Sequence, residues 1–223
     1  MSLEASPWYQ RSMLRYLLFD LDNTLYSQSL HMEADIARRM NEFVAGWFGI
    51  SYEEGKELRR AEARRYGTTL EWLATEKGLR DPEPFFAAVH PEGEEYCLAP
   101  DPALGGLLDS IPLPKAVFTN SPREHADRVL RKLGIEARFE AVYDIRFCSL
   151  RGKPRAEAFR LVCAACGSEP SETLFVDDLP RYVEGFLAIG GRGLLIDETG
   201  AHASSGLESI RSLAELREIV ALA

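Results

Sequence analysis

RYLLFDLDNTLY, residues 15–26, is an apolar run that stops on an acid, with a second acid two positions later. Residues 15–20 read as a short buried strand of a parallel sheet, because a near-continuous apolar stretch is followed at once by turn-prone residues. Asp20 then stands at the carboxyl end of that strand. The same layout recurs along the chain. FTNS at 118–121 closes a predicted strand over 115–119 on Thr119, and FVDD at 175–178 closes one over 173–176 on Asp177 and Asp178. Between them GKP at 152–154 sets Lys153 directly before a helix that Pro154 opens and that is predicted to run to Cys166. Further strands are predicted at 141–143 and 194–196, with a helix near 181–188. Strands alternating with helices predict an α/β fold: a Rossmann-like parallel sheet with helices on both faces. Ligands of such sheets collect beyond the carboxyl ends of the strands, where Asp20, Thr119 and Asp177 stand.

From about residue 30 to 96 the pattern is helical. Ile36, Met40, Phe43, Val44 and Trp47 recur at three- and four-residue steps. Helices are predicted over 53–66, stopped by Gly67, over 70–77, and over 83–96 beside Pro82 and Pro84. The stretch reads as a small all-helical cap domain, 28–98, set into a catalytic core formed by 1–27 and 99–223. Helix starts are marked by Asp101-Pro102 and by capping boxes at Ser121–Glu124, opening a helix that Gly134 closes, and at Ser212–Glu215.

Composition narrows the classes of function. The 223 residues carry 26 Lys and Arg against 35 Asp and Glu, a net charge of -9 with no basic run, which argues against nucleic acid or an anionic membrane as partner. A mean hydropathy of -0.18 with 46% hydrophobic residues suits a globular chain, and no apolar stretch reaches bilayer length. The opening MSLEASPWYQRSM lacks the apolar segment of a secretory leader. The four cysteines are too few for a disulfide scaffold, and Cys163 and Cys166, a CxxC pair, fall inside a predicted helix without a second pair. These features predict a reduced, cytoplasmic protein and do not speak against a small anionic partner, the phosphorylated metabolite that the site residues below call for; the oligomeric state is not legible.

Carboxylates converging on one point repel unless a cation lies between them, and an all-oxygen set suits Mg²⁺. An acid at a strand end also caps the following turn, but three such ends in one order favour a site. Asp20, ionised at neutral pH, is the candidate nucleophile and would form an aspartyl-phosphate. Asp22 is placed to protonate the leaving oxygen and then to activate water, which requires part of it to be protonated, a state that nearby negative charge favours. Thr119 and Asn120 can donate to phosphoryl oxygens, and Lys153 supplies positive charge.

These motifs together resemble the haloacid dehalogenase-like hydrolase superfamily, in its phosphatase branch with a helical cap. DLDNT matches its first motif at Asp20, Asp22 and Thr24, Thr119 the second, Lys153 the third and Asp177-Asp178 the fourth. YGTTL at 66–70, FTNSPREHADRVLRKLGI at 118–135 and Phe139-Glu140 are further similar to the pyrimidine 5′-nucleotidase group. The resemblance implies magnesium held by Asp20, Asp177 and the main-chain carbonyl of Asp22, with Asp178 near or in the shell. It implies adjacent strands carrying Asp177, Asp20 and Thr119. Leu21, Asn120 and Ser121 are candidate phosphate or substrate contacts, and Tyr26 and Tyr66 at the cap are candidates to face a base or sugar, because aromatic faces stack on nucleobases. His31, Met32 and Trp72 are further candidates to face a base or sugar, with cap packing as their other role. Closure is expected by hinging near 27–30 and 98–100.

Two positions depart from the pattern. Where many relatives carry a small hydroxyl residue and an asparagine after the acidic pair, this chain has Leu179 and Tyr182. His125 is expected at the rim of the site as a surface or packing residue. The implied activity is magnesium-dependent hydrolysis of a phosphomonoester, such as a pyrimidine nucleoside 5′-monophosphate. Open beside it are a sugar-phosphate phosphatase or phosphomutase, a dehalogenase, against which Asp22 speaks, and a catalytically weak binding protein that keeps the fold.

Overall fold

The structure, a computed structural model, describes residues 13–222. Six parallel strands form its centre: β1 (Tyr16–Phe19), β2 (Lys115–Phe118), β3 (Ala141–Tyr143), β4 (Thr173–Asp177), β5 (Arg192–Ile196) and β6 (Ser209–Ile210). Their order is β3-β2-β1-β4-β5-β6, so the chain reverses direction across the sheet between β1 and β4. Phe19 lies opposite Val117 of β2 on one side and Val176 of β4 on the other. Asp20 and Asp177, which follow Phe19 and Val176, and Thr119, two residues past Val117, therefore emerge close together at the switch point. This is the adjacency that the family resemblance implies.

Alternate side chains of each strand enter opposite cores, as the two-residue period of a strand requires. Leu17, Phe19, Val117, Leu174, Val176 and Leu194 enter one cluster; Leu18, Phe118 and Phe175 enter the other. The first is covered by α5 (Pro102–Ser110) and α6 (Arg123–Leu133), and the second by α7 (Ala156–Ala165) and α8 (Pro180–Leu187). A last helix, α9 (Leu216–Leu222), follows the Ser212–Glu215 capping box, which forms as predicted.

Between β1 and α5 lie α1 (Met32–Phe48), α2 (Tyr52–Tyr66), α3 (Thr69–Glu76) and α4 (Glu83–Val89), with no strand. Trp72 is fully buried and stacks on Phe48 at 5.7 Å, while Phe85 meets Phe43 edge-on at 5.1 Å. The apolar interior of this insert is continuous with the first core cluster. Among the described residues no helix is long and apolar enough to cross a membrane.

Several local expectations are corrected. The helix predicted over 83–96 ends at Val89, because Pro91 has no N–H to continue it, and a 3₁₀ turn at Glu94–Cys97 follows. The capping box at Ser121 does not form: Pro122 is the cap of α6, the Ser121 hydroxyl turns to Asp22, and Glu124 pairs with Arg146. Helix α7 begins at Ala156, two residues after Pro154. Strand β6 has only two residues and no apolar run to mark it in the sequence. Cys163 is buried, and burial pushes its thiol up to about 12, which leaves it a packing residue.

Candidate active site

Lys153 is the pivot of the site. It is 1% exposed, and its Nζ donates to Asp20 Oδ1 at 2.5 Å and to Asp177 Oδ2 at 2.7 Å. Three rings surround the ammonium, those of Tyr182 at 4.9 Å, Phe175 at 5.2 Å and Phe118 at 5.5 Å, so cation–π attraction adds to the ion pairs. Burial alone would lower the lysine's pKa, but Asp177 and Asp20 raise it, and the amine stays charged. The Asn120 amide staples the same loop: Nδ2 donates to the Lys153 carbonyl at 3.0 Å and Oδ1 accepts from the Lys153 N–H at 2.9 Å. That clamp needs Gly152, since a Cβ there would stand 2.0 Å from Asn120 Oδ1.

The residues at the departing positions take part in this support. The Leu179 N–H donates to Asp177 Oδ1 at 2.8 Å, and the Tyr182 hydroxyl accepts from Asn120 Nδ2 at 3.1 Å and Arg181 Nη2 at 2.9 Å. Tyr182 thus holds Lys153 by its ring and Asn120 by its hydroxyl. Both oxygens of Asp177 are committed, to Lys153 and Leu179.

Oxygens of Asp20, Asp177 and Asp178 lie within 4.8 Å of one another. Burial raises the Asp20 carboxyl to about 8, Lys153 only partly offsetting this and Asp177 and Asp22 adding to it, which corrects the expectation that Asp20 is ionised at neutral pH unaided and leaves that to a bound cation; burial and the charges of Asp177 and Asp20 likewise raise Asp178. Three carboxylates against one ammonium leave negative charge uncompensated, and the donors are all oxygen. The set fits a hard divalent cation. Asn23, in the left-handed region at φ 56° that asparagine tolerates, directs Nδ2 to Glu33 and, at 3.4 Å, to Asp178 Oδ2.

Asp22 is held from three sides. Tyr26 Oη and His125 Nε2 each donate to its Oδ1 at 2.7 Å, and Ser121 Oγ donates to Oδ2 at 3.0 Å. Burial pushes its pKa up, but the charge and hydrogen bond of His125, with Tyr26, hold it well below the ordinary carboxylate range. This corrects the expectation that neighbouring negative charge favours protonated Asp22: the surroundings favour the base. His125 is fully buried, not a surface residue, and its Nδ1 donates to Glu94 Oε1 at 2.6 Å. Burial would lower the imidazole, yet Asp22 and Glu94 raise it to about 10.

Glu94 also accepts from Arg39, Arg128 and His90. Burial raises its carboxyl, but hydrogen bonds from His125 and His90 prevail and hold it at about 2, against an ordinary 4.5. A folded-state pKa below the unfolded one stabilises the protein above about 4.5, and the contribution is lost as pH falls towards 2. Urea unfolding should therefore show wild type more stable than Glu94→Gln by a constant margin from pH 7 to about 5, shrinking below about 4.5. A margin that widens on acidification would contradict this.

Asp20, Asp22, Asp178, Thr119, Asn120 and Ser121 line one cavity of about 900 Å³ between the strand tips and the insert. Asp177 and Lys153 lie beneath it. Thr119 Oγ1 accepts from the Ser121 N–H at 3.0 Å. None of the proposed selectors from the first loop or the insert lines this cavity: Tyr26 is turned onto Asp22, Met32 and Trp72 are buried, His31 is exposed, and Tyr66 packs on the core edge. Leu21 is likewise buried in the core. The insert presents Met40, Arg59, Phe85 and Phe86 instead. Periodicity marked these only as helical, and which side faces the core depends on helix packing.

Fold and site define a haloacid dehalogenase-like hydrolase: residues 14–190 match the family of that description, and the chain belongs to it. At 26% identity over 222 residues, covering 92% of this chain and 97% of the relative, it is similar to validoxylamine A 7′-phosphate phosphatase of Streptomyces hygroscopicus subsp. limoneus. Phosphate metabolism protein 8 of Saccharomyces cerevisiae is 25% identical over 194 residues, 79% of this chain, which spans 59% of the yeast protein's length. Among solved structures, a HAD phosphatase from Thermococcus onnurineus has a TM-score of 0.61 at 20% identity, covering 93% of this chain and 98% of that one. L-2-haloacid dehalogenase from Xanthobacter autotrophicus has a TM-score of 0.59 at 20% identity, covering 94% and 99%. These structures share the fold with this chain.

Proposed function

We propose that the protein is a magnesium-dependent phosphomonoesterase that works through an aspartyl-phosphate on Asp20. The observation that carries this reading is the pairing, on one cavity, of Asp20 with an oriented second acid, Asp22. A halide leaves as a stable anion and needs no proton, whereas an ester oxygen does, so a held acid–base group at Asp22 has a use in phosphate-ester cleavage. One of the relatives named above is called a phosphatase, which supports the hydrolase part of this reading.

Asp20 Oδ1 is fixed by Lys153, which leaves the carboxylate to attack phosphorus in line, while Thr119 and Ser121 stand at the cavity wall to receive phosphoryl oxygens. Incoming phosphate charge works against the ionised state of Asp22 and so favours the proton it must give to the leaving oxygen. Giving that proton to the leaving oxygen leaves Asp22 as a carboxylate, held by its three donors, which then takes a proton from the water that attacks the aspartyl-phosphate, releasing phosphate and freeing Asp20. Asp20, Asp178 and the main-chain carbonyl of Asp22 would hold Mg²⁺, which when bound would neutralise carboxylate charge and polarise the phosphoryl group. For the substrate we propose a nucleoside 5′-monophosphate, preferably a pyrimidine one; the apolar surfaces of Met40, Phe85 and Phe86 offer a face for a base and Arg59 a positive charge.

Phosphate release from nucleoside and sugar monophosphates, with and without chelator, tests the reading; no metal-dependent release from any would reject it. For the two acids of the fourth motif we infer the opposite of the sequence-based ranking, with Asp178 the more direct ligand of the set Asp20, Asp177 and Asp178. Asp177 has both oxygens engaged below the cavity whereas Asp178 lines it. Asp178→Asn should therefore weaken magnesium binding, read by calorimetric titration, about tenfold or more beyond Asp177→Asn. The opposite order would reinstate Asp177 as the direct ligand.

A further inference from the structure

We propose that His125 is the positioning residue of Asp22 and that it ties this acid–base group to the helical insert through Glu94; the inference rests on the phosphatase reading. His125 lies in the first turn of α6, on the core, and its two ring nitrogens join carboxylates from different parts of the molecule. Nε2 meets Asp22 Oδ1 at 2.7 Å and Nδ1 meets Glu94 Oε1 at 2.6 Å. Each ring nitrogen lies within hydrogen-bond distance of a carboxylate oxygen, so the ring bridges the two acids. Its surroundings suit a fixed strut. Glu94 opens the 3₁₀ turn that leads out of the insert at 98–100, and Arg39 of α1 grips its other oxygen at 2.5 Å while also donating to the Val89 carbonyl at 2.6 Å. His90 lies against the His125 ring, 4.5 Å between centroids.

His90, Glu94 and His125 have ligand atoms close enough to hold a metal. Arg39 and Arg128 already occupy Glu94, however, and supply the cations that the cluster needs. What distinguishes the cluster from ordinary buried ion pairing is where it ends. Its far end is the oxygen of Asp22 opposite the one that Ser121 holds, so it sets the plane in which Asp22 faces the cavity. Without His125, Oδ1 keeps only Tyr26, and the carboxylate can turn. Misplacing an acid–base group by about 1 Å costs on the order of 10²-fold in rate.

The test separates positioning from general structural damage by the leaving group. Glycerol 2-phosphate expels a basic alkoxide that requires a proton, whereas p-nitrophenyl phosphate expels a weakly basic phenolate that does not. For His125→Asn, kcat/KM on glycerol 2-phosphate should fall about 10²-fold, and on p-nitrophenyl phosphate by less than about threefold. His125→Gln, which keeps one donor within reach of Asp22, should recover part of the loss. Glu94→Gln, which still accepts from Nδ1 but loosens the hold of the insert, should show the same selectivity at about a tenfold loss. It also serves where a His125 variant fails to fold. Equal losses on both esters, or none on either, would overturn the positioning role, and an unselective Glu94→Gln would overturn the link to the insert. Wild type inactive on both esters and on the phosphomonoester panel would instead reject the phosphatase reading.

Discussion

Asp20→Asn is expected to reduce phosphate release by about 10⁴-fold or more while leaving thermal stability unchanged or raised. The two parts of this result have different causes. Asparagine is nearly isosteric, and its Oδ1 can still accept from Lys153, so the strand end and the aromatic box around the ammonium are kept. It removes the carboxylate oxygen that would bond to phosphorus, and an amide does not replace that nucleophile. It also removes one carboxylate from a buried acidic cluster in which Asp177 and Asp22 raise the Asp20 pKa by repulsion. Relief of that repulsion favours the folded state when no metal is bound. Acid-quenched wild type should carry a phosphoryl adduct after incubation with substrate, and the variant none. Turnover equal to wild type would remove Asp20 from the mechanism, whatever the behaviour of the metal.

The strand ends were legible because each is a short apolar run broken by a polar residue, and the parallel pairing then brings those residues together without further information. Lys153 illustrates the limit. A lysine before a proline has no local signature of burial, and only the sheet reveals the three rings and two carboxylates that enclose it. Ser121 shows two uses competing for one hydroxyl: the spacing to Glu124 matches a capping box, but Asp22, 99 residues away in sequence, takes the donor. His125 and Glu94 are 31 residues apart and on different helical turns, so no periodicity links them. The ring of Tyr26 suits stacking on a base, but its hydroxyl is committed to Asp22. The lining of the cavity by the insert was the least legible part, since it depends on how amphipathic helices rotate against one another.

Lys153→Met should combine a large loss of stability with a loss of activity, and a second substitution should separate them. The methylene stem is replaced by a side chain of similar length, so the volume inside the Phe118, Phe175 and Tyr182 rings is largely kept. What disappears is the ammonium shared by Asp20 and Asp177. Breaking a buried ion pair from one side leaves uncompensated charge and costs about 3–5 kcal/mol, measurable by urea unfolding in the presence of chelator. Activity should fall by at least about 10³-fold, because Asp20 loses the donor that holds and ionises it. Adding Asp177→Asn removes one of the two stranded charges, so the double variant should regain part of the stability but none of the activity. That non-additivity is the signature of two groups acting through one contact. If Lys153→Met were as stable as wild type, the buried pair would not hold the strand ends together. If the double variant regained turnover, Lys153 would serve only to offset Asp177 and would have no part in orienting the nucleophile.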